Sequence, residues 1–272
     1  MSRYPRGADR DGRRGQQERP PEDDRHLYGV NPVLEALRAR PDQLERLLVA
    51  DGHLSANAAA EILSRARDAG VRVERVPREK LNSLAAGGVH QGVVARVRTF
   101  EYSTLEDILD AAAASGRPPL VMVLDGIQDP HNLGAIIRSA HALGAHGVVI
   151  AQDRAAQVTG AVAKASAGAV EHCAVARVTN VRRALEQLKD AGLWVAAADP
   201  EGTVTLPKAP LDGPLALVVG AEGPGVRKGV LEACDHRVRI PMLGRVASLN
   251  ASVSAALLLY EVLRQRQVKE GA

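Results

Sequence analysis

Two stretches of the chain, Val121-Met122-Val123-Leu124 and Leu215-Ala216-Leu217-Val218-Val219, are apolar at every position. A strand with one wet face alternates apolar and polar residues, whereas a strand that is apolar on both sides needs helices over each face. Helices reach both faces through crossover connections, which join parallel neighbours. Around these two stretches the pattern predicts strands over 120–125, 147–151, 173–178, 193–198, 215–220 and 237–241. Helices are expected to start near Asn132, Gln157, Asn180, Val226 and Leu249. Residues 119–268 therefore read as an α/β domain with a mostly parallel sheet.

A chain of 272 residues, 46% of them hydrophobic, has room for a second domain. In residues 26–98, Asn31-Pro32 looks like an N-cap followed by proline at the first helical position. Leu47-Leu48-Val49 reads as a strand, and Ser55 caps a helix carrying Ala59, Ile62, Leu63 and Ala66 until Gly70 stops it. Val71, Val73 and Val76, then Val93, Val94 and Val97, suggest two more strands, making a small α/β layer. Residues 99–118 are expected to be a linker, with Ser103 and Glu106 as the capping box of a helix that ends before Gly116-Arg117-Pro118-Pro119. Residues 1–25 hold seven Arg and six acidic residues but no Leu, Ile, Val or Phe. They cannot bury enough apolar surface to offset ordering, so a disordered tail is expected.

Composition removes several classes of function. No apolar run approaches the ~20 residues that cross a bilayer, and neither an export signal nor a disulfide framework is visible around Cys173 and Cys234, so a cytoplasmic protein is expected. The eight His form no H-E-x-x-H and no zinc-finger spacing with the cysteines, so no metal is expected. There is no G-x-S-x-G nucleophile elbow. One Phe, one Trp and four Tyr leave few aromatics on which bases could stack. Lys and Arg outnumber Asp and Glu by only 35 to 32, so RNA binding would rest on local Arg and Lys contacts and on shape.

In an open parallel sheet, ligands bind beyond the carboxyl ends of the strands. Three polar loops follow apolar strands there. Asp125 to Asn132 leads into a helix carrying Arg138, on a side that is otherwise apolar. Asn132 would serve as an N-cap. Gly220 to Gly225 has three glycines in six residues but lacks the Gly-Lys-Ser/Thr of a phosphate loop, and a tight turn alone would not account for Glu222. Ile240 to Asn250 enters a long apolar helix, with Ser248 placed as its cap and Asn250 needing another reason to stand in a first turn.

At these loops DPHNLGAIIRSA (129–140), LVVGAEGPGV (217–226) and IPMLGRVASLNASVSAALLLYE (240–261) resemble, in order and spacing, the SpoU branch of the SPOUT methyltransferases. LYGVNPVLEAL (27–37) and GVHQGVVARV (88–97) are similar to the substrate-binding domain of the bacterial 23S rRNA (guanosine-2'-O)-methyltransferases. The resemblance implies a C-terminal SPOUT domain with a trefoil knot, preceded by a small RNA-binding domain of ribosomal-protein type. It implies S-adenosylmethionine contacts at Gly220, Ile240, Met242 and Leu249, with an active site of Asn132, Arg138, Glu222, Ser248 and Asn250. The activity implied is 2'-O-methylation of a guanosine in 23S rRNA, free or within an assembling large subunit, by a homodimer joined through the C-terminal domain. A tRNA guanosine methylase and a catalytically silent ribosome-assembly factor are the alternatives. The motif-one Arg has been cast as a base, but guanidinium stays protonated, so Arg138 is expected to hold a phosphate and stabilise developing oxyanion charge.

Overall fold

The structure, a computed structural model, describes residues 25–271 except 51–53, 86, 99, 246 and 247. The expected tail lies outside the described residues, save that Arg25 already begins a strand.

The N-terminal part runs β1 (Arg25–Tyr28), α1 (Val30–Ala39), β2 (Leu44–Ala50), α2 (Ala56–Asp68), β3 (Arg72–Val76), α3 (Arg78–Leu84) and β4 (Val93–Val97). Its sheet order is β1-β4-β2-β3, with β2 and β3 parallel and the other pairs antiparallel. Leu27, Leu47, Val93 and Ala95 point to one face and pack with Val33, Leu37, Ile62 and Ala66 of α1 and α2. Leu48, Ala50, Val76 and Val94 point to the other and meet Leu81 of α3. The strand β1 and helix α3 were not foreseen, because neither has enough apolar residues to stand out. Helix α1 starts before the expected Asn31 cap. Its first amide, Val30 N–H, is satisfied from outside by Gln91 Oε1 at 2.9 Å.

The segment read as a linker is part of the second layer system. Ser103 N–H donates to Val175 O at 2.9 Å, which fastens the chain to a sheet edge. With that amide committed, the capping box forms one residue later than expected, from Thr104 and Asp107. It opens α4 (Leu105–Ala114), whose Ile108 and Ala112 are fully buried.

The second part continues with β5 (Leu120–Asp125), α5 (Pro130–Ala142), β6 (Gly147–Ala151), α6 (Gly160–Ala165), β7 (Ala174–Val178) and α7 (Val181–Asp190). Then come β8 (Trp194–Ala198), β9 (Val204–Thr205), β10 (Leu215–Gly220), α8 (Lys228–Leu231), β11 (His236–Arg239) and α9 (Ala251–Glu270). The seven strands lie in the order β7-β6-β5-β10-β8-β11-β9, and every neighbouring pair is parallel. Leu120, Met122, Leu124, Leu217 and Val219 face α5 and α9, while Val121, Val123, Ala216 and Val218 face α4, α7 and α8. The uniformly apolar strands thus serve two cores at once, each fully buried Val, Leu or Met side chain contributing about 1.5–3 kcal/mol.

The two parts touch through α6, which packs on β1. Lys164 Nζ donates to Val89 O at 2.6 Å and lies over the Tyr28 ring. His172 bonds Glu35 at 2.7 Å. Partial burial pushes the Glu35 carboxyl up, but hydrogen bonds from His172 and Arg38 outweigh it and hold the group below the usual range.

Helix α5 sits close to α6 because residue 134 has no side chain. A Cβ on Gly134 would fall 2.5 Å from Ala165 Cβ and 2.8 Å from Val162 O. Gly134→Val should therefore overpack this contact and cost about 1–3 kcal/mol, read as a lower urea midpoint at unchanged m.

Candidate active site

β5 and β10 end level, with Gly220 paired to Asp125. The loops leaving them start side by side. Asp125 is fully buried, yet its carboxylate is satisfied: Oδ2 accepts Arg227 N–H at 2.8 Å, and Oδ1 accepts Arg227 Nε and Nη2 at 2.8 and 2.5 Å. Arg227 closes the glycine loop, so this bidentate contact fixes the loop's far end to the tip of β5. At its near end the packing is backbone on backbone, since a Cβ on Gly220 would lie 2.0 Å from the Gly225 carbonyl carbon. Gly223 and Gly225 take φ of 85° and 67°, where a side chain would be strained.

The loop so held presents Glu222 to two asparagines. Asn132 Nδ2 donates to Glu222 Oε1 at 3.2 Å, and Asn250 Nδ2 donates to the same oxygen at 2.5 Å and to Asn132 Oδ1 at 2.9 Å. Asn132 is free for this because it is not a cap: Asp129 caps α5 by accepting His131 N–H. Ser248 is not a cap either. Asn250 is the N-cap of α9, its Oδ1 accepting Ser252 N–H at 2.9 Å. One side chain thus anchors a helix with its oxygen and a carboxylate with its nitrogen. The first turn of α9 adds an N–H from Ala251 to Glu222, and its dipole favours the negative charge.

Beside the cluster lies a cleft of about 680 Å³. Gly220, Ile240, Met242 and Leu249 all line it, as do Glu222, Ser248 and Asn250. Val219, Val238, Ile240 and Leu249 supply apolar walls, and the backbone turns at 198–200 and 220–225 supply polar edges. That size and lining suit a nucleoside with a cationic substituent, since apolar walls take a base and Glu222 offers a counter-charge. Asn132 joins the cleft through Glu222. The structure does not bring Arg138 into the cluster. It lies six residues beyond Asn132 on α5, exposed, with no hydrogen bond or ion pair among the described residues.

Other chemistry has no support at this edge. No group of three or more His, Cys, Asp or Glu among the described residues could hold a metal ion. Burial pushes the Cys173 thiol up to about 12, and burial together with Asp235 does the same for Cys234, so neither is a nucleophile at neutral pH. Asp125 and Arg227 were missed as site-building residues, although they bracket the two loops singled out from the sequence.

Residues 119–260 match the SpoU rRNA Methylase family, and residues 26–103 match the RNA 2'-O ribose methyltransferase substrate-binding family. The chain belongs to the SpoU rRNA methylase family. It is 44% identical to a Bacillus subtilis protein named for the TrmH family of tRNA/rRNA methyltransferases, over 89% of this chain and 96% of that one. It is 38% identical to the 23S rRNA (guanosine-2'-O-)-methyltransferase RlmB of Photobacterium profundum, over 89% and 98%. Among solved structures, the SpoU methyltransferase AviRb of Streptomyces viridochromogenes, in complex with AdoMet, superposes with a TM-score of 0.74 at 29% identity, over 90% and 91% of the two chains. This SpoU methylase therefore has the SPOUT α/β fold expected from its motifs, and it is an RNA 2'-O-methyltransferase.

Asn250 carries two separable jobs. Asn250→Ala removes the cap and should cost about 1 kcal/mol of stability. Asn250→Ser keeps a good cap but loses both amide donors to Glu222 and Asn132. Its melting temperature should recover towards wild type while methyl transfer stays lost. Recovery of both together would show that the amide bonds do not matter.

Proposed function

We propose that this SpoU methylase transfers the methyl group of S-adenosylmethionine to the ribose 2'-hydroxyl of a guanosine in 23S rRNA. The observation that carries the reading is the Asn132–Glu222–Asn250 cluster opening onto a nucleoside-sized cleft. Gly220, Ile240, Met242 and Leu249 would hold S-adenosylmethionine, which supplies an electrophilic sulfonium methyl. Residues 26–98, matching a substrate-binding family, are read as the RNA-holding part and residues 119–268 as the transfer part.

The chain's own groups divide the remaining work. Glu222 Oε1 is fully engaged by the asparagines, whereas Oε2 has no hydrogen bond among the described residues and is free to accept one from the attacking hydroxyl. Ser248, exposed at the cleft mouth, adds a hydroxyl beside it. Holding the oxygen in line with the methyl is where most of the rate should arise. Arg138, exposed and unpaired among the described residues, would hold the adjoining phosphate and stabilise the alkoxide as it develops, and the proton, handed on through Glu222 Oε2, would pass to that phosphate or to water.

A homodimer is part of the proposal. Helix α9 buries Ala251, Ala255, Leu258, Leu259 and Val262 against its own sheet, yet Val253, Leu257 and Tyr260 remain 45%, 38% and 58% exposed on another side. An apolar stripe exposed on a second side of a core helix marks a contact surface. A second copy meeting this stripe would bring two transfer domains together. No helix among the described residues is long and apolar enough to cross a membrane, and we place the enzyme in the cytoplasm with the assembling ribosome.

Mapping 2'-O-methyl groups in rRNA and tRNA from a deletion strain tests the reading. One 23S guanosine should lose its methyl and regain it with the wild-type gene but not with Glu222→Ala. A loss confined to tRNA would select the tRNA reading, and no loss in either would select a silent assembly factor. Leu257→Asp should sediment as a folded monomer; an unchanged dimer would place the interface elsewhere.

A further inference from the structure

Among the described residues, three that are not glycine adopt a left-handed backbone: Gln91 at φ 52°, Arg154 at 55° and Ala167 at 52°. This conformation is unfavourable for an L side chain and persists only where the surroundings impose it. Two of the three explain themselves. Ala167 and Gly168 terminate α6, their amides returning to Lys164 O and Ala163 O. Gln91 uses its own side chain to satisfy Val30 N–H at the start of α1. Arg154 does neither: it is exposed and forms no hydrogen bond or ion pair among the described residues.

The loop around Arg154 is nonetheless firmly built. Gln157 Nε2 reaches the carbonyls of Ala151, Gln152 and Ala155 at 3.1, 3.2 and 3.1 Å. Ala156 N–H donates to Ile127 O at 2.8 Å, and Val158 N–H donates to Tyr102 Oη at 2.9 Å. These bonds explain why the helix expected near Gln157 begins only at Gly160, since Gln157 is spent bracing the turn. The bracing holds an arginine in a strained pose and leaves its guanidinium facing water. With Asp153 next to it, the loop is no general basic patch but presents a single exposed cation.

The loop leaves β6 at the carboxyl edge of the sheet, one strand from β5, whose own loop leads to Asn132. The bond to Ile127 ties the two loops together. At its other end the loop enters α6, where Gly160 lies so near β1 that a Cβ would fall 2.0 Å from His26 O. The loop therefore lies between the β5 loop that leads to Asn132 and strand β1 of the N-terminal domain.

We propose that Arg154 is a phosphate-contacting residue that positions the RNA strand between the N-terminal domain and the 2'-hydroxyl to be methylated. This rests on the RNA methylation reading above. Guanidinium suits the role because its planar fork matches phosphate oxygens and cannot lose its charge. The braced backbone at residue 154 is already ordered, so only side-chain freedom is lost when the phosphate arrives.

The test uses full-length protein, saturating S-adenosylmethionine and transcribed 23S rRNA. Arg154→Ala should raise the KM for RNA about fivefold to tenfold with kcat changed less than twofold, as expected for a single positioning contact. The slope of log affinity against log salt should fall by about 0.7–0.9, one phosphate's worth of counterion. Arg154→Lys should restore most of that slope. Arg154→Gly should match Ala in RNA binding while its melting temperature equals or exceeds wild type, because glycine accepts the left-handed backbone. If wild type methylates the RNA but these variants keep its KM and salt slope, Arg154 is not the contact and the methylation reading stands. If wild type neither binds nor methylates any RNA, the reading itself fails and the proposal goes with it.

Discussion

The level pairing of β5 with β10, locked by Asp125 and Arg227, is the constraint on which the site depends. Neither loop beyond those strands has a core of its own. The glycine loop in particular is poor in side chains that could hold it in place. Fixing both its ends to β5 converts flexible sequence into a rigid edge, and only a rigid edge can hold a carboxylate at hydrogen-bond distance from two asparagines on separate helices. A buried carboxylate is costly unless its lone pairs are met, and here three N–H groups of one residue meet them. The same bonds that offset that cost define the loop.

Glu222, Asn132 and Asn250 couple folding to chemistry more tightly than a list of site residues suggests. Asn250 caps the last long helix, so the final element of the fold cannot dock without orienting an amide at the site. That helix also covers the sheet face made by Leu217 and Val219. Packing of the core and assembly of the polar cluster are therefore one event, and the amide hydrogens are aimed by the tertiary structure rather than by their own loops. Such pre-organisation is what electrostatic and positional catalysis require.

The sheet was largely legible because strands that are apolar on both faces leave few alternatives, and all six expected strands of the second domain occur within a residue or two of their places. The short β9, with only Val204 and Thr205, carried no such pattern. Helix starts were read less well, for a shared reason: local capping rules assign each Asn, Ser or Gln to its nearest backbone, while tertiary partners compete for it. Asn132, Ser248 and Gln157 were each expected at or beside a helix start; Asp129 and Asn250 take the caps, and Gln157 is spent on the carbonyls of the turn just before it. The residues of the cluster were visible as polar intruders in an apolar region. Their mutual bonds, across 90, 118 and 28 positions, were not. The knot that the resemblance implies would be another such long-range feature, because periodicity reports which faces are covered and not how the chain threads.

The distribution of satisfied and unsatisfied groups separates what the fold completes from what a substrate completes. Asp125, Glu222 Oε1 and Asn250 are met within the chain, and they shape the cleft and its carboxylate. Arg138, Arg154 and Glu222 Oε2 are left unmet among the described residues, all on elements leaving the carboxyl edge of the sheet. Two cations and one acceptor form a set that suits an anionic ligand bearing a hydroxyl. In the proposed function a ribose hydroxyl flanked by phosphates fits that set, the hydroxyl at Glu222 and the phosphates at the arginines. These groups are the ones that the proposed reading assigns to the RNA strand, with the 2'-oxygen, which only RNA carries, next to the carboxylate.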